Sequence, residues 1–282
     1  MGLILDWARG RGVRHVALGH TRDDQAETLL MGLARQAGIA GLSGMRRSWV
    51  EGGVTVHRPL LEAGREELRA WLRARGIGWV DDPTNEDARF TRTRARKALA
   101  ALSPLGITAE GLAGVAGHLA EAQAALAVQV RAVALDCVAP VAGALRIGPG
   151  LWDAPSEVRR QVVVAGMHWL TGADHAPRAA ELERLMTAMA AGRDATLAGC
   201  RFRQGWLCRE ARTVGGPVPV GDLWDGRWQV RGPAGTVRAL GAGGLSRCKD
   251  WRATGLPRVV LEVTPGVWQG GTLVSAPAAG WE

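Results

Sequence analysis

The chain has 282 residues, 47% of them hydrophobic and 22% charged, with a formal net charge of +8. That length corresponds to two domains, or three if the later ones are small, and the apolar-to-charged balance excludes disordered and collagen-like classes. No apolar run approaches the roughly 18–20 residues of a membrane span. The opening MGLILDWARGRG has neither a basic leader nor a small-residue cleavage site, so a soluble cytoplasmic protein with no membrane partner is expected.

Cys137, Cys200, Cys208 and Cys248 are widely spaced and form no CxxC pair, which argues against a zinc knuckle or a disulfide framework and fits a reducing compartment. The charge is uneven. Residues 1–100 hold 17 basic and 12 acidic side chains, 101–200 hold 7 and 9, and 201–282 hold 11 and 6. Only Lys97 and Lys249 are lysines, as a bias toward G and C in codons would produce, but such a bias does not by itself create an excess of positive charge. Positive charge at both ends points to an extended polyanion contacting two modules.

In chain order, Leu3 to Arg11 reads as the end of a helix stopped by Gly10 and Gly12, and HVALGH (His15 to His20) as a short strand ending at a polar switch. Leu29, Leu30, Leu33 and Ala34 recur at helical spacing, which predicts a helix from Asp23 to Gln36. AGIAGLSGM is a glycine-punctuated loop, VTVHRPLL an alternating strand, Arg65 to Arg75 an amphipathic helix closed by Gly76, and GWV (Gly78 to Val80) a last short strand. Strand, helix, strand, helix argues for a parallel sheet with crossover helices. The pattern starts in mid-unit, at a helix feeding a strand, as though strands upstream were missing.

From Pro104 the texture changes. Leu112 to Val133 marks a long helix behind a Thr108 cap, Val158 to Leu170 and Ala180 to Met189 supply two more, and the region reads as a helical bundle ending in a hairpin about RQG within ATLAGCRFRQGWLCRE. Val214 to Gly221 reads as a linker, and beyond it RWQVRG, TVRALG, RVVLEV and TLVSAP read as strands of a small β-rich domain. The expected division is therefore 1–102, 103–213 and 222–282.

HTRDDQAETLL (His20 to Leu30) sits where a strand gives way to a helix, and in open parallel sheets ligands bind at that carboxyl edge. Asp24 and Glu27 share a face of the first turns and can grip one cation together. The same pattern is also a capping box with acidic groups at the positive end of the helix dipole, about 0.3–1 kcal/mol each. A metal site with His20 is a third option, for which the chain offers no evident completing ligands. DARFTRTRARKAL (Asp87 to Leu99) places Arg92 and Arg96 four apart, a spacing suited to successive phosphates, though a basic run is also an ordinary solvated face. DDPTN (Asp81 to Asn85) before it is turn chemistry.

GHTRDDQAETLLMGLARQAGIAGLSGM, then HRPLL, then REELRAWLRARGIGWVDDPTNEDARFTRTRAR, in this order, resemble the bacterial tRNA(Ile)-lysidine synthetases of the N-type ATP-pyrophosphatase (PP-loop) group. The close resemblance covers about Val13 to Leu102. The later regions are similar to that family's appended tRNA-binding domains, chiefly through TLAGCRFRQGWLCRE and GLPRVV with GVWQGGTLVSAP. The resemblance implies an α/β, partial Rossmann-like, adenine nucleotide alpha hydrolase-like parallel sheet, then a helical domain and a small β-rich domain.

It further implies ligation of L-lysine to C2 of the wobble cytidine in a tRNA(Ile) with a CAU anticodon. ATP, with Mg2+, adenylates the base oxygen, and the lysine amine then displaces AMP. On this resemblance Asp24 and Glu27 bind and orient lysine, His20 lies on the nucleotide side, and Arg92, Arg94, Arg96 and Lys97 contact tRNA; no resident metal site is implied. The oligomeric state stays open, a homodimer included.

Three departures stand out. Thr93 replaces the family's usual Asn and Trp71 its common Tyr. The phosphate loop S-G-G-x-D-S, whose amides and Asp would hold ATP phosphates and magnesium, occurs nowhere in the 282 residues. The expectation is thus a chain shortened at its N-terminus and inactive alone, with a non-catalytic tRNA-binding descendant as the alternative. A related enzyme that thiolates a tRNA base fits less well, because the cysteine pairs it needs are missing.

Overall fold

The structure, a computed structural model, describes residues 1–80, 89–173 and 175–281. The DDPTN turn lies outside them. Contacts divide the chain into two compact units, Met1–Ala127 and Val128–Glu282. That boundary falls inside the longest helix, whereas sequence texture places divisions at 102/103 and in the 214–221 stretch.

The first unit opens with α1 (Gly2–Gly10), β1 (His15–Ala17) and α2 (Arg22–Ala34). A one-turn helix α3 (Ile39–Leu42), the hairpin of β2 (Ser48–Glu51) and β3 (Val54–His57), and α4 (Arg65–Arg73) follow. After the undescribed stretch come α5 (Thr91–Leu102) and α6 (Ala109–Cys137), the latter begun by the expected cap, with Thr108 Oγ1 accepting from Gly111 N at 3.1 Å. The sheet order is β1-β3-β2. β1 and β3 are parallel, Val16 opposite Val56, and α2 lies in the crossover between them. β3 buries Val54 and Val56 by simple alternation, and these pack on Leu5 and Ala8 of α1. This is the α/β parallel arrangement the PP-loop resemblance implies. Strand β2, antiparallel to β3, is an addition to the sequence reading, and α3 occupies part of the expected loop. GWV is not a strand: Gly78 to Val80 carry no regular structure, the chain leaving α4 through Gly76 (φ +64°) so that Trp79 lies under Arg73 of that helix, 5.3 Å from the ring centroid.

The second unit begins with β4 (Val138–Val141), β5 (Ala144–Ile147), α7 (Ser156–Thr171) and α8 (Ala179–Ala190). The strands β6 (Ala195–Leu197), β7 (Cys200–Arg203) and β8 (Trp206–Arg209) follow. The strands form one antiparallel sheet in the order β4-β5-β8-β7-β6. α7 lies close against it, so that a Cβ added at Gly166 would come within 2.8 Å of Leu145 Cδ1. The expected helical bundle is therefore corrected to helices on a five-stranded sheet. The hairpin about RQG is present, its turn at Gln204 and Gly205 having φ of +49° and +79°, the left-handed pair that two-residue hairpins demand.

The C-terminal part holds β9 (Val218–Pro219), β10 (Leu223–Trp224), β11 (Trp228–Gln229) and β12 (Thr236–Ala239). It continues with α9 (Gly241–Leu245), α10 (Arg258–Leu261), β13 (Pro265–Gln269) and β14 (Thr272–Ser275). It is β-rich as expected, with a four-stranded sheet β14-β13-β12-β9, a core of Leu240, Leu245, Leu261, Trp268 and Leu273, and the separate pair β10-β11. Two expectations fail here. The 214–221 stretch supplies β9 to the sheet, and RVVLEV begins as a helical turn, α10, whose inner residues Val260 and Leu261 are fully buried. Among the described residues no single helix is long and apolar enough to cross a membrane.

Candidate active site at the start of α2

Thr21 is the cap of α2. Its backbone N–H donates to Asp24 Oδ2 at 2.8 Å and its hydroxyl to the same oxygen at 2.8 Å. The capping box is real, but its acidic partner is Asp24, three residues after Thr21. Glu27, which the sequence pattern also offers as a capping residue, lies a turn further on and takes no part.

Glu27 is instead fully buried. Arg96 Nε donates to its Oε1 at 2.9 Å and Arg65 Nη2 to the same atom at 3.4 Å. Its second oxygen, Oε2, is buried without a hydrogen-bond partner among the described residues. Asp24 Oδ1 faces Arg65 at 3.7 Å and Arg92 at 3.9 Å. Burial on its own would raise the Asp24 pKa, but the two Thr21 hydrogen bonds, with Arg65 and Arg92 nearby, outweigh it and hold the carboxyl below its ordinary value.

A third carboxylate, Asp23, ties the neighbouring helix in. Asp23 Oδ2 accepts from the backbone N–H of Arg65 at 2.7 Å, the first residue of α4. Arg22 pairs with Glu67 of that helix, and Arg22 N donates to Ala63 O at 3.0 Å. The N-termini of α2 and α4 are thereby pinned side by side.

His20 lies at the same strand edge. Arg58 Nε donates to its Nδ1 at 3.0 Å. Burial first, then the Arg58 charge, lower the pKa of the imidazole, so it is neutral at pH 7 with its proton on Nε2. Arg58 also stacks over Trp49, 4.4 Å from the ring centroid.

The basic run on α5 divides into two faces. Arg92 and Arg96 point together, as their spacing requires, but toward the carboxylates of α2 and not freely into solvent. Arg94 and Lys97 lie on the exposed side, Arg94 donating to Thr91 Oγ1 at 3.2 Å. Thr93 is buried, so its departure from the family's Asn falls on the packing face. Trp71, where the family commonly has Tyr, is half exposed under Arg75, 3.8 Å from the ring centroid. Arg65, Arg58 and Thr21 were not singled out by sequence reasoning. Thr21 was legible as the T of T-x-x-D; the two arginines gave no local signal, being 38 residues from the groups they meet.

The described residues contain no group of three or more His, Cys, Asp or Glu that would hold a metal ion. Asp24 Oδ1 and Glu27 Oε1 face guanidinium groups and Asp24 Oδ2 is taken by Thr21, a cation-surrounded pair that does not resemble a magnesium site. Elsewhere in the unit a cleft of about 860 Å³ is lined by Arg22, Arg46 and Arg47 opposite the small residues Gly114, Gly117 and Ala120 of α6.

The PP-loop domain family matches residues 3–102, the stretch that holds His20, Thr21, Asp23, Asp24, Glu27 and the arginines around them. The chain is 44% identical over 292 aligned residues to the tRNA(Ile)-lysidine synthase of Ruegeria pomeroyi, covering 99% of this chain and 69% of that protein. It is 34% identical to the enzyme of the same name from Rhizobium meliloti (86% of this chain, 57% of that one) and 31% identical to that of Anaplasma marginale (72% and 44%). It thus spans roughly half to two-thirds of the length of these relatives. With its PP-loop segment and its later modules both inside the Ruegeria alignment, the chain belongs to the tRNA(Ile)-lysidine synthase family.

Proposed function

We propose that this chain serves ATP-dependent ligation of L-lysine to C2 of the wobble cytidine in a tRNA(Ile) with a CAU anticodon, and that Asp24 and Glu27 hold the lysine. In this reaction the C2 oxygen attacks the α-phosphorus of ATP and pyrophosphate leaves. The ε-amine of lysine then attacks C2, AMP leaves with the oxygen, and the amine loses a proton. The observation that carries the assignment of Glu27 is its buried carboxylate with one unpartnered oxygen beside Asp24. A buried acceptor of that kind costs about 1–3 kcal/mol until a donor reaches it, and an amine is the donor this reaction supplies.

Lysine also carries an α-carboxylate. Arg92, 3.9 Å from Asp24 and half exposed, is the guanidinium best placed to receive it, so that acidic and basic groups together orient a zwitterion; orientation accounts for much of the rate in such a two-substrate step. Arg96 then serves chiefly to fix Glu27, while Arg94 and Lys97 are the contacts for tRNA phosphates. His20, neutral and donating from Nε2, belongs on the nucleotide side. Magnesium is expected to accompany ATP as part of the nucleotide substrate, since the described residues form no site of their own for it. Residues 103–213 and 222–282 are assigned to tRNA binding, in a cytoplasmic enzyme.

The test is binding of radioactive lysine and of a tRNA(Ile) transcript to the chain and to its Asp24→Asn and Glu27→Gln variants. Lysine affinity is expected to fall about tenfold or more, the size of one charge-assisted contact, with tRNA affinity kept. Unchanged lysine affinity in both variants would sink the assignment. Lysine incorporation is measured in a polypeptide that joins the chain to the segment of the Ruegeria relative it does not match.

A further inference from the structure

In the second unit a pocket of about 330 Å³ is walled by the β4–β5 turn, by Trp169 near the end of α7, and by Arg227 and Trp228 at the start of β11. Its parts are held firmly. Asp225, almost fully buried, takes two hydrogen bonds from Arg209, at 3.1 and 3.0 Å. It also accepts from Arg227 Nη2 at 3.2 Å, while Arg227 Nη1 donates to Gly143 O at 2.9 Å. The guanidinium is thereby fixed, its carbon 5.9 Å from the centre of the Trp169 ring. Trp228 presents the Cζ2 edge of its ring to Gly143, where an added Cβ would come within 2.3 Å of Cζ2. Trp169 is half exposed.

We propose that this pocket takes one unstacked nucleobase of the tRNA, with the indole of Trp169 as its stacking platform. The inference rests on the reading of the chain as a tRNA-modifying protein and adds a second contact remote in sequence from the carboxylates. Three observations select the occupant. Arg227 places a fixed positive charge at the wall, which excludes a cationic side chain. Arg227 Nε and Trp228 Nε1 are buried donors with no acceptor among the described residues; a purely apolar occupant leaves them so, whereas a base brings ring nitrogens and carbonyls. The unit is basic, with 18 Lys and Arg against 13 Asp and Glu over residues 128–282, which draws the backbone of a nucleic acid to its surface. Single-stranded bases are recognised in this way, on aromatic faces and guanidinium planes.

The experiment is filter binding of a tRNA(Ile) transcript to the chain and to Trp169→Ala, Trp169→Phe and Val141→Asp, the last at the exposed rim, with thermal unfolding to verify each fold. Trp169→Ala is expected to weaken binding about fivefold or more, the lower bound for stacking on one ring, while Trp169→Phe stays within about twofold. Val141→Asp weakens binding, and the salt dependence for Trp169→Ala stays parallel to the parent because no charge is removed. A folded Trp169→Ala chain that binds tRNA like the parent overturns the proposal. So does a pocket that binds free AMP through Trp169 while tRNA binding is indifferent to that residue. A parent chain that binds no tRNA overturns the functional reading itself.

Discussion

Arg96 on α5 donates from Nε to Oε1 of Glu27 on α2 at 2.9 Å, joining residues 69 apart in the sequence. One turn earlier on each helix, Arg92 faces Asp24. The basic i, i+4 pair thus meets the acidic i, i+3 pair, and each motif is the other's partner before any ligand arrives.

Arg96→Ala leaves Glu27 buried with Arg65 alone at 3.4 Å. The expected loss is about 2–4 kcal/mol, near the ~3–5 kcal/mol of stripping one partner from a buried pair, read as a fall in the urea midpoint. Replacing both residues by leucine recovers most of it. A single variant as stable as the parent would show that Glu27 does not depend on Arg96.

Salt dependence separates the two faces of α5. Arg94→Ala and Lys97→Ala should each reduce the slope of log K against log salt for tRNA binding by about 0.7–0.9, the value for one phosphate left without its cation. Arg96→Ala should change it less, because its charge is already matched by Glu27. Equal changes at all three positions would mean that Arg96 leaves Glu27 when tRNA binds.

The Asp24 carboxyl has its folded-state pKa below the ordinary 3.8, so the unfolded chain binds that proton more readily and stability rises with pH. The contribution is complete above about pH 5 and is lost as pH falls through the folded value. Urea midpoints from about pH 3 to 7 for the chain and Asp24→Asn should therefore converge at the acid end. A gap that stays constant would place the stabilisation elsewhere.

All four cysteines are buried and free. Burial pushes Cys200 up to about 11 and Cys208 up to about 12, and the thiolate is the reactive form. Native protein should give no rapid reaction with a disulfide reagent at about pH 8, and all four thiols should react in denaturant. Fast labelling of the native chain would reveal an opened second unit.

Much of this architecture was legible in the sequence where the signal is local. Thr108 before a long apolar repeat, Gly76 after Arg65 to Arg75, and the polar switch at His20 each mark an element end through the chemistry of one or two residues. RVVLEV resembles a strand because a short β-branched run has no intrinsic period, yet Pro257 opens a helical turn there. The hairpin of β4 and β5 leaves a weak signal in the sequence because Pro140 argues against a strand; it is tolerated since β4 lies at the sheet edge. In the site, the carboxylates were visible from their spacing. Arg65 was not, because its role depends on Asp23 capping a helix 42 residues away.

That cap also sets the sign of the field around the motif. By pinning the start of α4 to the start of α2, Asp23 brings two positive helix ends together, each equivalent to roughly half a charge. Five arginines, Arg22, Arg58, Arg65, Arg92 and Arg96, stand against the four carboxylates Asp23, Asp24, Glu27 and Glu67. A stretch that looks acidic in the sequence is thus a small negative island among positive groups, a field in which the proposed amine ligand and the proposed phosphate partners would meet charges of opposite sign side by side.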